Sequence, residues 1–300
     1  MAEESTTEVP DRSSSRTALF MAAYRGRASA REQPVCSDPW AAALAGEEGV
    51  ELARRYDEVY PHMELWTAVR TAFIDARVWR ALGAPWSMGQ VVLLGAGFDT
   101  RAARFGAAGP AGGGAGAGAA ARFFEVDQPR TQAEKLRRIG ALPGYPRGAA
   151  THVPCDFEHQ DFLTELGRAG FRADREALFV WEGVTPYLSE AAVRATLRRL
   201  AEGTHPGSVV VFDHLRRKIV AGDVADANDL RSRDFVGDLG EPLRWGCDDV
   251  LPVLYTEGFR RVRTTSFDEA CLDLTGTYDR ERKFRFQSLA VASRGAAELP

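Results

Sequence analysis

The chain has 300 residues, of which 45% are hydrophobic and 27% are charged. These values exclude a chain that is disordered throughout, and the length allows a large core without disulfides. The 38 basic and 42 acidic residues leave a slight negative charge, so nothing indicates a nucleic-acid partner, which would require a basic surface.

Glycine is over-represented. The 29 glycines are about a tenth of the chain, above the usual ~7%. Six of them fall within residues 107–121. Such a cluster is either a nucleotide-binding loop or a flexible linker, and the position of the other motifs has to decide between the two.

The four cysteines, Cys36, Cys155, Cys247 and Cys271, form no Cys-x-x-Cys pair and no Cys/His cluster. Their spacing predicts unpaired thiols in a reducing cytoplasm and no metal site. Residues 1–14 are polar and acidic, which predicts a disordered tail and not a signal peptide. No apolar run approaches the ~18 residues of a membrane helix. We therefore expect a cytoplasmic protein, monomeric or homodimeric, without a membrane partner.

Residues 15–88 are predicted to form an N-terminal helical cap, because the pattern is helical and contains no good strand. One helix is expected at residues 41–56 and a second at residues 61–82. Pro61 suits the first position of a helix, and Gly83 suits the position that follows a helix.

From residue 89 to residue 300, short apolar runs alternate with amphipathic stretches. This alternation predicts an α/β core with a seven-stranded, mostly parallel sheet that is covered by helices on both faces. The predicted strands lie at residues 91–94, 122–126, 152–155, 178–181, 208–212, 259–265 and 284–292. The predicted helices between them lie at residues 130–139, 161–168 and 189–201.

The segment 214–249 is long, polar and poor in strand signal. A connection of this length inside a compact domain is typical of a lid or a substrate-binding insertion. A surface excursion without a role is the alternative.

The turn after the first predicted strand has the sequence Gly95-Ala96-Gly97. Glycines here permit positive φ and let a cofactor approach the backbone. NAD, FAD and S-adenosylmethionine proteins share this feature. A pyrophosphate site would have a third glycine where Thr100 stands, and the preceding Asp99 would repel a pyrophosphate. The turn therefore favours S-adenosylmethionine, whose amino-acid end is cationic, over a dinucleotide; a dehydrogenase remains the alternative.

Acidic residues end three neighbouring strands: Glu125 and Asp127 the second, Asp156 the third and Glu182 the fourth. Ligands of open α/β sheets bind at the carboxyl ends of strands, so these carboxylates are expected to converge on one crevice. Asp127 follows the glycine turn at a greater distance than the usual ~20 residues. The excess is about the length of the glycine-rich tract, which is therefore a surface insertion and not the binding loop.

Four segments in this order resemble the leucine carboxyl methyltransferase family, namely LLGAGFDTRAARF, FFEVDQP, VPCDFEHQDF and WEGVTPYLSE. The resemblance is greatest to its bacterial branch and spans about residues 15–294. It implies a Rossmann-like class I methyltransferase fold and S-adenosyl-L-methionine as cofactor. Residues 107–121 depart from the family pattern, and we expect this insertion to affect no site.

The expected cofactor site consists of Arg70, Gly95, Ala96, Gly97, Asp99, Glu125, Asp127, Asp156, Phe157 and Glu182. The resemblance implies that Gly95 and Gly97 lie under the methionine moiety. It also implies that Asp127 binds the ribose hydroxyls, with Glu125 behind it or assisting.

For the two ends of the cofactor, the resemblance implies contacts of Asp156 and Phe157 with the adenine and places Glu182 near the methionine end. Arg70 lies at the distance from the first strand at which the family has an arginine that faces the cofactor carboxylate. A guanidinium suits that role because it can pair with a carboxylate through two hydrogen bonds.

For the acceptor, the leading hypothesis is O-methylation of a carboxylate or hydroxyl of a small biosynthetic molecule. A carboxylate needs no general base, whereas a hydroxyl would profit from one. His214 is the best-placed base candidate in the sequence, and Tyr187 could donate a hydrogen bond to the acceptor. The alternatives are methylation of a protein C-terminal carboxylate and a non-catalytic protein that binds S-adenosylmethionine.

Overall fold

A computed structural model describes residues 15–106, 121–157, 159–224, 227–277, 287–296 and 298–300. The predicted tail at residues 1–14, nearly all of the insertion at 107–121 and the first three residues of the predicted strand 284–292 lie outside the described residues.

The sheet has seven strands in the order β3-β2-β1-β4-β5-β7-β6. Strands β1 to β5 pair in parallel, and β7 runs antiparallel to both β5 and β6. The bounds are β1 Gln90–Leu94, β2 Arg122–Asp127, β3 Ala150–Pro154, β4 Leu178–Trp181, β5 Val209–Leu215, β6 Arg261–Ser266 and β7 Gln287–Ser293. The prediction of a mostly parallel seven-stranded α/β fold is confirmed.

Helices precede the sheet and alternate with its strands. The three N-terminal helices are α1 Arg16–Ser29, α2 Ala41–Asp57 and α3 Met63–Leu82. The others are α4 Arg101–Phe105, α5 Pro129–Ala141, α6 Phe162–Arg168, α7 Glu190–Gly203, α8 Arg217–Ala221, α9 Ala227–Asp238, α10 Leu251–Thr256 and α11 Phe267–Thr275.

Local sequence explains where several of these helices begin. Pro129 occupies the first turn of α5, where its missing N–H costs no hydrogen bond. The side chain of Ser189 accepts from the N–H of Ala192 at the start of α7. At the start of α11, Ser266 and Glu269 form a reciprocal capping box.

The central strands are buried on both faces, and successive side chains therefore belong to two different cores. On one face, Val91 and Leu93 of β1 pack in a cluster that also contains residues of α1, α2 and α3. On the other face, Val92 and Leu94 pack with residues of α6, α7 and α10. The helices of the predicted cap therefore form one of the outer layers and share a hydrophobic core with the sheet.

The segment predicted as a lid contains α8 and α9 and returns across the carboxyl ends of the strands. The N–H groups of Arg244 and Trp245 donate to the carbonyl of Pro186 at 2.7 and 3.1 Å. The hydroxyl of Tyr56 in α2 hydrogen-bonds to that of Ser232 in α9. These contacts join the segment to the turn after β4 and to the N-terminal helices.

All four cysteines are buried and form no disulfide. Within the described ranges, no group of histidine, cysteine, aspartate and glutamate side chains could hold a metal ion. None of the helices in those ranges is long and apolar enough to span a membrane.

Candidate cofactor and acceptor site

A cavity of about 1310 Å³ opens at the carboxyl ends of β1, β2, β4 and β5. Its walls come from the sheet, from α1 and α3, and from the segment that carries α8 and α9. Pockets for one small ligand usually measure about 300–1,000 Å³. This cavity is large enough for a cofactor together with a second molecule.

The turn after β1 forms part of the cavity floor. Gly95 and Gly97 have φ of 64° and 47°, a left-handed conformation that strains any residue with a Cβ. A Cβ at Gly95 would also collide with the side chain of Val184. Ala96, between them, lines the cavity too. The backbone conformation of the turn therefore requires glycine at both positions.

Asp127, the last residue of β2, faces this turn. Its carboxylate accepts from the N–H of Gly97 and, at 2.7 Å, from the N–H of Gln128. Burial raises the pKa of Asp127 to about 6, although these two hydrogen bonds oppose the change. A ligand that hydrogen-bonds to the ionised form would compensate for the burial.

A cluster of buried ion pairs lies beside the turn. Arg70 of α3 donates from Nε to Glu182 at 2.9 Å and from Nη1 to Asp213 at 3.1 Å. The second carboxylate oxygen of Glu182 accepts from Arg101. Burial alone would raise the pKa of Glu182, but Arg101 and Arg70 outweigh it and hold the pKa at about 2.

Asp99 lines the cavity, but its charge is already paired. One oxygen accepts from the N–H of Arg101 at 2.7 Å, and the other forms an ion pair with the guanidinium of the same residue. Arg101 also pairs with Asp75 of α3 at 2.7 Å. Asp99 therefore holds the turn to the first residue of α4.

Asp156 and Phe157 follow β3 and line the end of the cavity beyond Asp127. The carboxylate of Asp156 contacts Nδ1 of His159 at 2.9 Å. The ring of Phe157 is half-buried and lies 5.9 Å from that of Phe162, centroid to centroid. A polar group and an aromatic face therefore lie together at this end.

Two predicted residues do not line the cavity. Glu125 lies under the sheet surface, where it pairs with Lys135 at 2.7 Å and with His152 at 3.2 Å. Burial opposes its ionisation, but Lys135 and the hydrogen bond from His152 lower the pKa of Glu125 overall. It therefore supports β2 from behind and does not contact the cavity.

His214 is the second of these residues. It follows Asp213 in β5, and because successive strand residues point to opposite faces, Asp213 faces the cavity whereas His214 does not. The ring of His214 packs near Phe212 and Trp245 in the other core. His214 therefore does not line the cavity, whereas Tyr187 does.

We expect His214→Leu to leave cofactor affinity unchanged and to alter acid stability. Burial lowers the pKa of His214 below its usual 6.5, so the unfolded state binds the proton more readily. Stability should therefore fall as the pH drops below about 6.5, by at most about 1.4 kcal/mol per pH unit. Thermal unfolding between pH 5 and pH 8 should show a shallower loss in the variant, and an identical loss would contradict this assignment.

The structure adds three residues that sequence analysis missed. Asp213 directly follows the apolar run predicted as the strand 208–212, and in the structure it lies within β5 and lines the cavity. Arg101 is buried and joins Glu182, Asp99 and Asp75. Arg25 of α1 lines the cavity, pairs with Asp38 at 3.1 Å and donates to the carbonyl of Phe98 at 2.6 Å. Only the fold brings these arginines to the site.

The start of α1 crosses the mouth of the cavity. The hydroxyls of Ser15 and Thr17 donate to Glu241, and the N–H of Ser15 donates to Thr131 at 3.2 Å. Exposed residues of the lining at this mouth include Arg130 and Arg244. The cavity is therefore partly covered by α1 and by the segment around Glu241.

The charges of the lining are predominantly negative. Within the described ranges, seven carboxylates and four guanidiniums line the cavity, together with neither lysine nor histidine. A cationic ligand is favoured by this excess, and a pyrophosphate is disfavoured.

The sequence profile of the leucine carboxyl methyltransferase family matches residues 18–201 of the chain. A protein of Frankia alni named as an S-adenosyl-L-methionine-dependent methyltransferase is 33% identical over 241 residues, which cover 76% of this chain and 80% of that protein. A protein of Mycolicibacterium vanbaalenii with the same kind of name is 29% identical over 259 residues, 81% of this chain and 77% of that protein.

Two solved structures are similar in fold. A protein from Thermobifida fusca described as a methyltransferase has a TM-score of 0.62 at 15% identity, covering 97% of this chain and 100% of its own. A DUF574 family protein from Streptomyces avermitilis also has a TM-score of 0.62, at 13% identity, and covers 94% of this chain and 98% of its own.

Proposed function

The chain belongs to the leucine carboxyl methyltransferase family and is an S-adenosyl-L-methionine-dependent methyltransferase, and on this premise we propose that it methylates a carboxylate or hydroxyl oxygen of a small molecule. The observation that carries the proposal is the acidic cavity at the strand ends, which is large enough for two ligands. Membership of the family indicates the reaction class, and the cavity supports a small molecule as the acceptor.

The ribose contact is assigned to Asp127. Its carboxylate lies at the end of β2 and retains lone pairs beyond the two that accept backbone N–H groups. An adjacent pair of hydroxyl donors would stabilise the ionised form that burial disfavours. The turn at Gly95 and Gly97 leaves the space over the backbone that the rest of the cofactor needs.

The amino-acid end of the cofactor is assigned to the ion-pair cluster. Arg70 uses Nε and Nη1 for Glu182 and Asp213, and within the described part of the chain its Nη2 makes no hydrogen bond. That nitrogen can donate to the carboxylate of the cofactor, while Glu182 and Asp213 offer negative charge for its ammonium group. The polar and aromatic pair Asp156 and Phe157 suits the adenine at the opposite end.

The bound cofactor supplies an electrophilic methyl group on a sulfonium, and the protein supplies position and a partly dry site. Holding donor and acceptor in line accounts for most of the acceleration that such a displacement needs. The cover formed by α1 and the segment around Glu241 supports a small acceptor, because a protein tail would have to pass under both.

Cofactor affinity should depend on pH through Asp127. With a pKa of about 6, the carboxylate is mostly ionised at pH 7 and mostly protonated at pH 5, and only the ionised form accepts from both ribose hydroxyls. We expect the affinity for S-adenosyl-L-homocysteine to fall roughly tenfold between pH 7 and pH 5. Calorimetry should show a nearly flat profile for Asp127→Asn; a flat profile for the native protein would contradict the assignment.

Label transfer tests the proposal. The purified chain is incubated with S-adenosyl-L-[methyl-³H]methionine and either the protein fraction or the small-molecule fraction of a bacterial lysate. The proposal predicts label in the small-molecule fraction, as methyl esters or methyl ethers. Label in protein alone would indicate a protein carboxyl methyltransferase. Cofactor binding without transfer to either fraction would indicate a non-catalytic binding protein.

A further inference from the structure

Asp213 of β5 is buried within the ion-pair cluster, and both of its carboxylate oxygens accept hydrogen bonds. Its side chain is 4% exposed. One oxygen, Oδ1, accepts from the N–H of Gly183 at 2.6 Å, and the other, Oδ2, accepts from Nη1 of Arg70 at 3.1 Å. A single carboxylate therefore holds two parts of the site together, namely the turn after β4 and the arginine of α3.

The turn after β4 packs directly against the guanidinium of Arg70. Gly183 has φ of 68°, and a Cβ at this position would lie 3.4 Å from Nη2 and 3.5 Å from Nη1 of Arg70. The hydroxyl of Thr185 donates to the carbonyl of Asp213 at 2.7 Å, which joins the same turn to β5 a second time. The position of this turn relative to the arginine therefore depends on Asp213.

The guanidinium of Arg70 is held on several sides. Nε donates to Glu182 at 2.9 Å and Nη1 donates to Asp213. The ring centroid of Trp66 lies 5.5 Å from the guanidinium carbon. Among the described residues, Nη2 has no acceptor. Because a guanidinium is planar and its donors form a fixed fork, holding the other two nitrogens also fixes the direction of Nη2.

Glu182 alone would not fix that direction. A single hydrogen bond at Nε lets a planar group pivot about the bonded atom, whereas a second bond at Nη1 fixes the plane. Glu182 also accepts from Arg101 through its other oxygen, so its own position is set by a second arginine. The bond from Arg70 to Asp213 is therefore the one that sets where Nη2 points.

We propose that Asp213 is a positioning residue, which holds the guanidinium of Arg70 so that Nη2 faces the carboxylate of the cofactor. This inference rests on the proposed function, in which Arg70 binds that carboxylate. Asp213 acts through the arginine, and it determines how strongly the site prefers a ligand with an intact amino-acid end. A ligand without that end should bind independently of Asp213.

Two ligands that share the adenosine and the sulfur test the proposal: S-adenosyl-L-homocysteine and methylthioadenosine, which lacks the amino-acid end. Calorimetry measures both affinities for the native chain and for Asp213→Asn, in which the amide oxygen can still accept from Gly183 but carries no charge. We expect the preference for S-adenosyl-L-homocysteine to fall at least about tenfold in this variant, the contribution of a hydrogen bond between charged groups. The affinity for methylthioadenosine should stay within about twofold, because adenosine contacts do not involve Arg70.

A second background shows whether Asp213 acts through the arginine. In Arg70→Met, the further change Asp213→Asn should alter the preference less than about threefold, because the group that Asp213 positions is absent. Asp174→Asn is the matched control, since this exposed carboxylate also pairs with an arginine but lies outside the cavity; it should keep the native preference. Asp213→Ser serves as a second variant if Asp213→Asn does not fold.

Three results would overturn the inference. An unchanged preference in Asp213→Asn would show that Arg70 needs no positioning by Asp213. An equal loss of affinity for both ligands would show a merely structural role. An equal loss of preference with and without Arg70 would show that Asp213 acts on the cofactor independently of the arginine. A native chain that binds neither ligand would instead refute the proposed function.

Discussion

Asp127→Ala should weaken the binding of S-adenosyl-L-homocysteine at least about 100-fold. The native carboxylate is assigned two hydrogen bonds to the ribose, and bonds to a charged group contribute about 1.5–3 kcal/mol each, where about 1.4 kcal/mol corresponds to a tenfold change. The variant also leaves the N–H groups of Gly97 and Gln128 without their acceptor. Calorimetric titration at pH 7.5 measures the effect directly.

Asp174→Ala is the matched control. It is the same chemical change at an exposed carboxylate, which pairs with Arg172 at 2.8 Å outside the cavity. Its affinity for S-adenosyl-L-homocysteine should stay within about twofold of the native value. If Asp127→Ala also stayed in that range while remaining folded, the ribose assignment would be wrong.

Arg101→Met should lower the free energy of unfolding by about 3–5 kcal/mol, the usual cost of removing one partner of a buried ion pair. The side chain of Arg101 is 2% exposed and pairs with Asp75 of α3, with Asp99 of the turn after β1 and with Glu182, which follows β4. Its loss leaves buried carboxylates without their main cation. Denaturation by urea measures the change.

Two comparisons separate this effect from a general loss of charge. Arg172→Met removes an exposed arginine that also forms two hydrogen bonds to a carboxylate, and it should cost far less stability than Arg101→Met because solvent screens the exposed pair. Adding Glu182→Gln to Arg101→Met should recover part of the stability, because it removes one negative charge from a cluster that has lost a cation. Equal costs for the two arginine variants would show that the cluster around Arg101 does not stabilise the fold.

The fold was predictable because the core alternates buried strands with amphipathic helices, each bounded by local signals. The strand at 91–94 appears as Gln90–Leu94, and the helix predicted at 130–139 extends to Pro129–Ala141. Helices α8, α9, α10 and α11 are short or have no separate sequence pattern, and they were not predicted. Their positions depend on contacts with the sheet that the sequence does not display.

The candidate site was predictable where it depends on one strand and the turn that follows it. Asp127, Asp156 and Glu182 all line the cavity, since parallel strands direct their carboxyl ends to one edge of the sheet. The sequence does not show which of Asp213 and His214 faces the cavity. This depends on which face of β5 the cavity occupies, and two adjacent polar residues give no indication of that.

The arginines show a second limit. Arg70 was expected from the family resemblance, but its pairing with Glu182 and Asp213 joins residues 112 and 143 positions apart in the chain. Arg101 lies in the segment LLGAGFDTRAARF, but the sequence indicates no role for it, because a single arginine at the start of a short helix is usually solvated. Only tertiary packing shows that it is buried among three carboxylates.

A crystal structure of the chain with S-adenosyl-L-homocysteine tests the central claim most directly. The account predicts the ribose hydroxyls on Asp127, the adenine beside Asp156 and Phe157, and the carboxylate of the amino-acid end within hydrogen-bond distance of Arg70. A cofactor bound elsewhere, or one whose ribose does not reach Asp127, would contradict it.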